Sequence, residues 1–347
     1  MPNTDFAVVI GISHYSDLGK PVPGAIKDAD RFIEWLKGPA GVPDNQIHIK
    51  RLVSKDPPDP GKNPVITEID DAFEKVLAEA ENRREENRRA GNVAPLRLYV
   101  YFAGHGCSQG SQHMALLLGD ASRRYLNKSL DSSSYHDGLV RNAIFPEQVF
   151  FYDCCRNFDR RVVGRRSPWS DADPSPGAAN VRQVIFYAAG FTEYANETVF
   201  KYNERQQGLF TMALLEALNG GGAVRQNNEW VITAYKVAQY VHQRLDELTK
   251  PKKLRQHLGW YPGGVDDLVL APTTTPLLHG VHVSTQHPGT EIVVYDETVE
   301  NEVGRRPLVG NATELRLPAG NYVVAVNPTG PKLVVRIGPG EPTTVEL

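Results

Sequence analysis

Cysteine is scarce: 347 residues contain three, Cys107, Cys154 and Cys155, and two of these are adjacent. That excludes a disulfide framework and fits a reducing compartment. The adjacent pair also lacks the doubled C-x-x-C spacing of a structural zinc site. No apolar run approaches the roughly 20 residues that a membrane-spanning helix needs. The opening MPNTDFAVVIGISHY lacks a basic stretch followed by a long apolar one, so a cytoplasmic protein without a membrane partner is expected. Neither sign of charge dominates: 38 basic against 41 acidic residues give −3, with no global pull toward nucleic acid. No dense acidic cluster demands calcium and no internal repeat occurs, so no cofactor is expected, although calcium activation stays open. What is present is 41% hydrophobic and 23% charged, enough for a large core and unlike a disordered or collagenous chain.

Residues 5–12 form a continuous apolar run ending near Gly11, the pattern of a strand buried on both faces. Ala25, Ala29, Phe32, Ile33 and Leu36 then share one helical face that stops at Gly38-Pro39. A short strand at 47–53 and a helix with Ile66, Ile69, Phe73, Val76 and Leu77 on its core face follow. The helix tail, AENRREENRRAG, reads as a solvated, ion-paired face. Further buried strands are predicted in LRLYVYFAGHG at 96–106, QVFFYDCC at 148–155 and QVIFYAAG at 183–190, with helices at about 207–219 and 233–249. Strands alternating with helices predict an α/β fold with a mostly parallel sheet flanked by helices. Between the second and third of these strands, 159–182 is rich in Arg, Asp, Pro and Ser and reads as a long exposed loop. From 272 onward the linker APTTTP leads into short alternating stretches separated by Gly, Pro and Asn, which predict a small all-β, sandwich-like domain over 272–347 after a first domain over 1–271.

In an open α/β sheet functional groups collect beyond the carboxyl ends of the strands. His105 and Cys155 each follow a buried strand directly and should emerge at one edge. A cysteine nucleophile needs thiolate character and a base for its proton, and an imidazole in reach supplies both. Gly104 and Gly106 remove bulk beside His105 and would let a substrate carbonyl approach the backbone. The N–H groups of Gly106 and Cys155 are then the natural oxyanion donors.

YVYFAGHG at 99–106, YDCCRN at 152–157 and the Asp/Arg-rich loop before the next strand together resemble the caspase-like cysteine proteases, especially their prokaryotic and metacaspase-type members. The resemblance spans roughly residues 5–270. It implies that His105, bracketed by glycines, and Cys155, the last residue of Asp-x-Cys, form the dyad, leaving Cys154 as the variable middle position. It also implies an acidic specificity pocket. Gly24-Ala-Ile-Lys-Asp28 matches the family's Gly-x-x-x-Asp, Asp153 is the second acid, and Glu197 in GFTEYANE resembles a third. Converging carboxylates favour a guanidinium over an ammonium, so protein substrates cleaved after Arg, then Lys, are expected. Two departures are visible: Ala103 stands where the family often has Ser, and RQHLGWYPGG has no Gln-x-Pro, leaving the later pocket loops unassigned.

An Arg-directed protease would meet its own preferred residues in the 159–182 loop, at Arg160, Arg161, Arg165, Arg166 and Arg182. Self-cleavage there is expected to separate a large portion, about 1–158, from a small one, 183–271, that stay associated. The resemblance further implies a zymogen, a possible activating protein partner, and a place in bacterial stress, cell-death or phage-defence systems. Two alternatives stay open. One is a silent caspase-like scaffold acting through its β domain; the other is a cysteine hydrolase acting on a non-peptide amide. Asp28 could also be a plain helix-face acid and Asp153 a loop brace. His279, His282 and His287 are close in sequence, but alternation puts the last two on opposite faces, against a metal site.

Overall fold

The computed structural model describes residues 4–347 except 16, 19–20, 41–46, 55–62, 92–94, 109, 111–112, 160, 201–204, 228, 264–266, 288–290, 297–298, 300–301, 327–330 and 340–341. The first buried-strand pattern is β1 (Thr4–Gly11), followed by α1 (Ala25–Lys37), β2 (Ile47–Val53), α2 (Ile66–Arg89) and β3 (Leu96–Ala103). Three short strands, β4 (Gly106–Ser108), β5 (Met114–Leu117) and β6 (Ser129–Asp131), form a small antiparallel sheet beside α3 (Ser132–Asn142). Next come β7 (Glu147–Asp153), β8 (Arg182–Tyr187), the hairpin β9 (Glu197–Phe200) and β10 (Arg205–Gly208), and α4 (Leu209–Glu216), which runs into a π-helical turn at Ala217–Gly221. Then follow β11 (Ala223–Gln226), β12 (Glu229–Thr233), α5 (Ala234–Thr249), β13 (Gly259–Tyr261) and β14 (Val269–Pro272).

The central sheet has the order β13-β8-β7-β3-β1-β2, all parallel except β13 on β8. Strand side chains alternate faces, and each face meets its own helices. Ala7, Val9, Tyr99, Tyr101, Phe151 and Phe186 pack with α1, α4 and α5. Phe6, Val8, Leu98, Val100, Phe102 and Phe150 pack on the other face with α2 and α3. Burial on both faces is why these strands read as unbroken apolar runs. From β1 the chain crosses to β2 at one edge, and from β3 it moves toward β7 and the other edge. The order therefore reverses between β1 and β3, and the carboxyl ends there open a crevice.

The segment 159–182 differs from the expected free loop. Val162 is fully buried, Ser167 and Ser170 are buried, and Trp169 packs edge-on to Tyr135 at 5.6 Å. Arg165 is laced to β6 by Arg165 N–H to Ser129 O (2.7 Å) and Asp131 N–H to Arg165 O (2.9 Å). Two apolar side chains and a few backbone bonds are enough to pin a polar stretch. Arg182 is not in the loop at all. It is the first residue of β8, paired in register with Glu147 and in an ion pair with its carboxylate.

Beyond β14, the strands β15 (His279–Ser284), β16 (Glu291–Asp296), β17 (Glu302–Pro307), β18 (Ala312–Leu317), β19 (Gly320–Val326), β20 (Lys332–Ile337) and β21 (Thr343–Glu346) make two sheets, β18-β15-β21 and β17-β16-β19-β20. Val281, Val283, Ile292, Val294, Leu315, Val324, Ile337 and Val345 form one core between them.

Candidate active site

The connections after β1, β3 and β7 meet at the crevice. A cleft of about 480 Å³ is lined there by Val22, Asp28, Gly104, His105, Asp153, Cys155, Ala195, Asn196, Glu197 and Gly208, among others. Of the residues singled out by sequence, it brings together His105, Cys155, Asp28, Asp153 and Glu197. The side chain of Cys154 is buried on the other side, as alternation requires.

His105 is oriented by Tyr15, which the sequence did not flag. The His105 N–H donates to Tyr15 Oη at 2.6 Å, and the two rings lie 4.7 Å apart at 39°. The flanking glycines also serve packing inside the protein. A Cβ on Gly104 would stand 2.4 Å from Tyr15 Oη, and one on Gly106 would stand 2.6 Å from Cys154 Sγ. The Gly106 N–H does point away from β5. Leu117 N–H donates to His105 O, so His105 and Leu117 are a hydrogen-bonded pair and the next pair, Gly106 and Leu116, is not. Among the described residues the Cys155 N–H makes no backbone bond.

The Cys155 thiol donates to Ala195 O at 3.8 Å. Burial pushes its pKa up, the Ala195 bond opposes that, and the carboxylates of Asp153 and Glu197 raise it further. The free thiol is therefore protonated at neutral pH and needs a base.

The acids converge through Gly208. Asp28 Oδ2 accepts the Gly208 N–H at 2.8 Å, and Asp28 Oδ1 pairs with Arg31 at 2.8 Å one turn along α1. Asp153 Oδ2 accepts from Thr211 Oγ1 at 2.6 Å and from Thr211 N at 3.3 Å. A Cβ on residue 208 would stand 2.2 Å from Asp153 Oδ2, so only glycine lets both carboxylates come this close. Glu197 Oε1 accepts the Gly24 N–H at 3.2 Å, at the start of α1. Burial raises Asp28 to about 8, with Asp153 adding to the rise and Gly208 and Arg31 opposing it. Burial likewise raises Asp153 to about 6, with Thr211 opposing and Glu197 adding. Asp153 thus braces the start of α4 and lines the cleft as well.

Of the Arg residues expected to be cut, Arg160 lies outside the described residues. Arg161 is exposed and paired with Asp159 at 2.7 Å, and Arg166 is exposed and paired with Asp171 at 2.7 Å. Arg165 is held to β6. Arg182 sits at the amino end of β8, the end of the sheet away from the cleft. Among the described residues no group of three or more His, Cys, Asp or Glu side chains is placed to hold a metal ion, and no helix is long and apolar enough to cross a membrane.

The chain is similar to a probable protease of a Desulfuromonadales bacterium, with 27% identity over 255 residues. That match covers 70% of this chain but only 29% of the relative's length. Among solved structures it is similar to caspase-1 from Spodoptera frugiperda (14% identity, TM-score 0.46, covering 79% of this chain and 92% of that one). It is also similar to the Drosophila initiator caspase Dronc (11% identity, TM-score 0.45, covering 78% and 84%). The family model of the caspase domain matches residues 4–257, from β1 to the edge of β13 and across every residue lining the cleft, and the chain therefore belongs to the caspase domain family of proteases.

Proposed function

We propose that the chain is a cysteine endopeptidase cleaving after Arg, and less well after Lys, with Cys155 as nucleophile and His105 as general base. The observation that carries this reading is the meeting of His105 and Cys155 with three carboxylates in one cleft. His105 takes the thiol proton as Cys155 Sγ attacks the scissile carbonyl carbon. The oxyanion is received by the N–H groups of Gly106 and Cys155, the C–N bond breaks, and His105 returns the proton to the leaving amine. Water then hydrolyses the thioester. A guanidinium between Asp28, Asp153 and Glu197 can bond more than one carboxylate at once, which an ammonium does less well. Processing is assigned, among the described residues, to Arg161 or Arg166, since Arg165 is held against β6 and Arg182 is the first residue of β8. The sheets after β14 are proposed to form an accessory domain.

A silent scaffold is the second reading, favoured by the thiol's bond to the backbone carbonyl of Ala195. Peptides differing only in P1 Arg, Lys or Asp, offered to the wild type and to Cys155→Ala with and without calcium, separate the two. Turnover after Arg, weaker after Lys and absent in Cys155→Ala, is the expected result. Cleavage after Asp would overturn the pocket assignment, and silence with every peptide would favour the scaffold.

A further inference from the structure

One wall of the cleft is the stretch 190–197, which contributes Ala195, Asn196 and Glu197. Its own bonds are local, Glu193 N–H to Gly190 O (3.0 Å) and Gly190 N–H to Glu193 Oε2 (3.1 Å). Phe191 and Tyr194 are exposed, and Thr192 has φ of 71°, a region that a β-branched residue rarely occupies. Further hold comes from the chain just before β13. Gln256, 1% exposed, accepts at Oε1 from both the backbone N–H of Asn196 (2.9 Å) and its Nδ2 (3.0 Å). The Gln256 Nε2 donates to Ala188 O at 2.9 Å, just past β8. The neighbouring His257 holds the other end. Its Nδ1 lies 2.7 Å from Glu193 Oε1, and its backbone N–H donates to Glu193 Oε2 at 2.8 Å. Glu193 is in turn tied to the residue after the nucleophile, because Arg156 N–H donates to Glu193 O (2.9 Å) and Thr192 N–H to Arg156 O (3.0 Å).

We infer that Gln256 and His257 are positioning residues that clamp the 190–197 wall, holding Ala195 O against the Cys155 thiol and Glu197 at the P1 side chain. This inference rests on the peptidase reading above. Gln256 suits the task because one neutral amide accepts two donors and still donates one. Its loss leaves the half-buried Asn196 N–H without that partner and the wall without its tie to the buried end of β8. Because the wall contacts substrate while the dyad sits just past β3 and β7, loosening it weakens binding more than chemistry.

The test uses the full chain with Gln256→Leu and His257→Ala. An arginine peptide gives kcat and KM, and intact mass gives the rate at which iodoacetamide alkylates Cys155. Expected is a KM raised about tenfold in Gln256→Leu, the equivalent of one hydrogen bond of about 1.4 kcal/mol. His257→Ala should raise KM severalfold, kcat should stay within about threefold in both, and alkylation should accelerate as the loosened wall opens access to the half-buried thiol. Wild-type KM and alkylation rate in both variants would overturn the clamp, as would a fall in kcat at unchanged KM. His257 is exposed, so its variant decides the matter if Gln256→Leu does not fold. Should the wild type cleave no peptide, the peptidase reading fails by itself. The alkylation rates, with amide exchange across 190–197, then still decide whether the clamp exists.

Discussion

Cys155 sits in a field that works against its own ionisation. Burial disfavours the thiolate, and the carboxylates of Asp153 and Glu197 disfavour it further. The same acids are the groups that a P1 guanidinium would neutralise, so a basic ligand in the pocket should lower the thiol's pKa. Methylguanidine, small enough to leave the thiol accessible, is expected to shift the pH profile of Cys155 alkylation downward and to raise the rate at pH 7.5 by about tenfold, the effect of one pKa unit. The sign follows from the acids. Burial holds Asp28 near 8 and Asp153 near 6, so ligand affinity, and with it the shift, grows as pH rises from about 6 to about 8 and falls as these two carboxyls take up protons below that range. An alkylation profile indifferent to methylguanidine would remove the acids from the ligand's surroundings. His105, Cys155, Asp28 and Asp153 were legible in the sequence because each lies in a short motif beside an element end. Tyr15, Gly208, Thr211 and Gln256 were not, because their meaning comes from partners far along the chain: Gly208 meets Asp28 across 180 positions and Gln256 meets Asn196 across 60.

At the scale of elements, β1, β3, β7 and β8 could be read because burial on both faces leaves an unbroken apolar signature, while the edge strand β13 carries only three partly exposed residues and could not. The helices α1, α2, α4 and α5 could be read from their one-sided periodicity. The short strands β4 to β6, the β9–β10 hairpin and β17 carry three to six residues each and no such pattern, so only their partners define them. The 159–182 segment misled for the opposite reason. Its composition is that of a solvated loop, yet Val162 and Trp169 pin it, and Trp169 also lies 5.9 Å from the Phe73 ring on α2. A protease needs an extended, detached strand, so any self-cleavage waits on local opening of this segment. Trp169→Ala removes the larger anchor and is expected to speed cleavage after Arg161 or Arg166 by about tenfold, equivalent to roughly 1.4 kcal/mol less opening cost. A time course of intact mass, with Trp169→Ala in a Cys155→Ala background as the uncut control, reads this directly. Equal rates with and without Trp169 would show that the anchor does not gate processing.

At the scale of the whole molecule, the sheets after β14 are joined to the elements that build the pocket. Leu277 N–H donates to Gly220 O at 2.9 Å in the π-helical turn that ends α4, and Ala319 joins the core beneath α5. In the same turn, Leu218 O accepts the Trp35 Nε1 of α1, the helix that carries Asp28, at 3.2 Å. The other end of α4 begins at Gly208, whose N–H fixes the same Asp28. Helices α1 and α4 therefore share both a pocket and a seam. Ending the chain after Pro272 would expose the α5 side of the seam and free the turn at 217–221. A seam worth about 3 kcal/mol would lower the melting temperature by roughly 6–12 °C for a body of this size. The accompanying effect on turnover should fall on KM for arginine peptides, because Asp28 is the group at the end of the path, while His105 and Cys155 stand just past β3 and β7 and keep their places. A truncated chain that melts with the full one and binds arginine peptides equally well would mean that the terminal sheets are carried by the peptidase without supporting it.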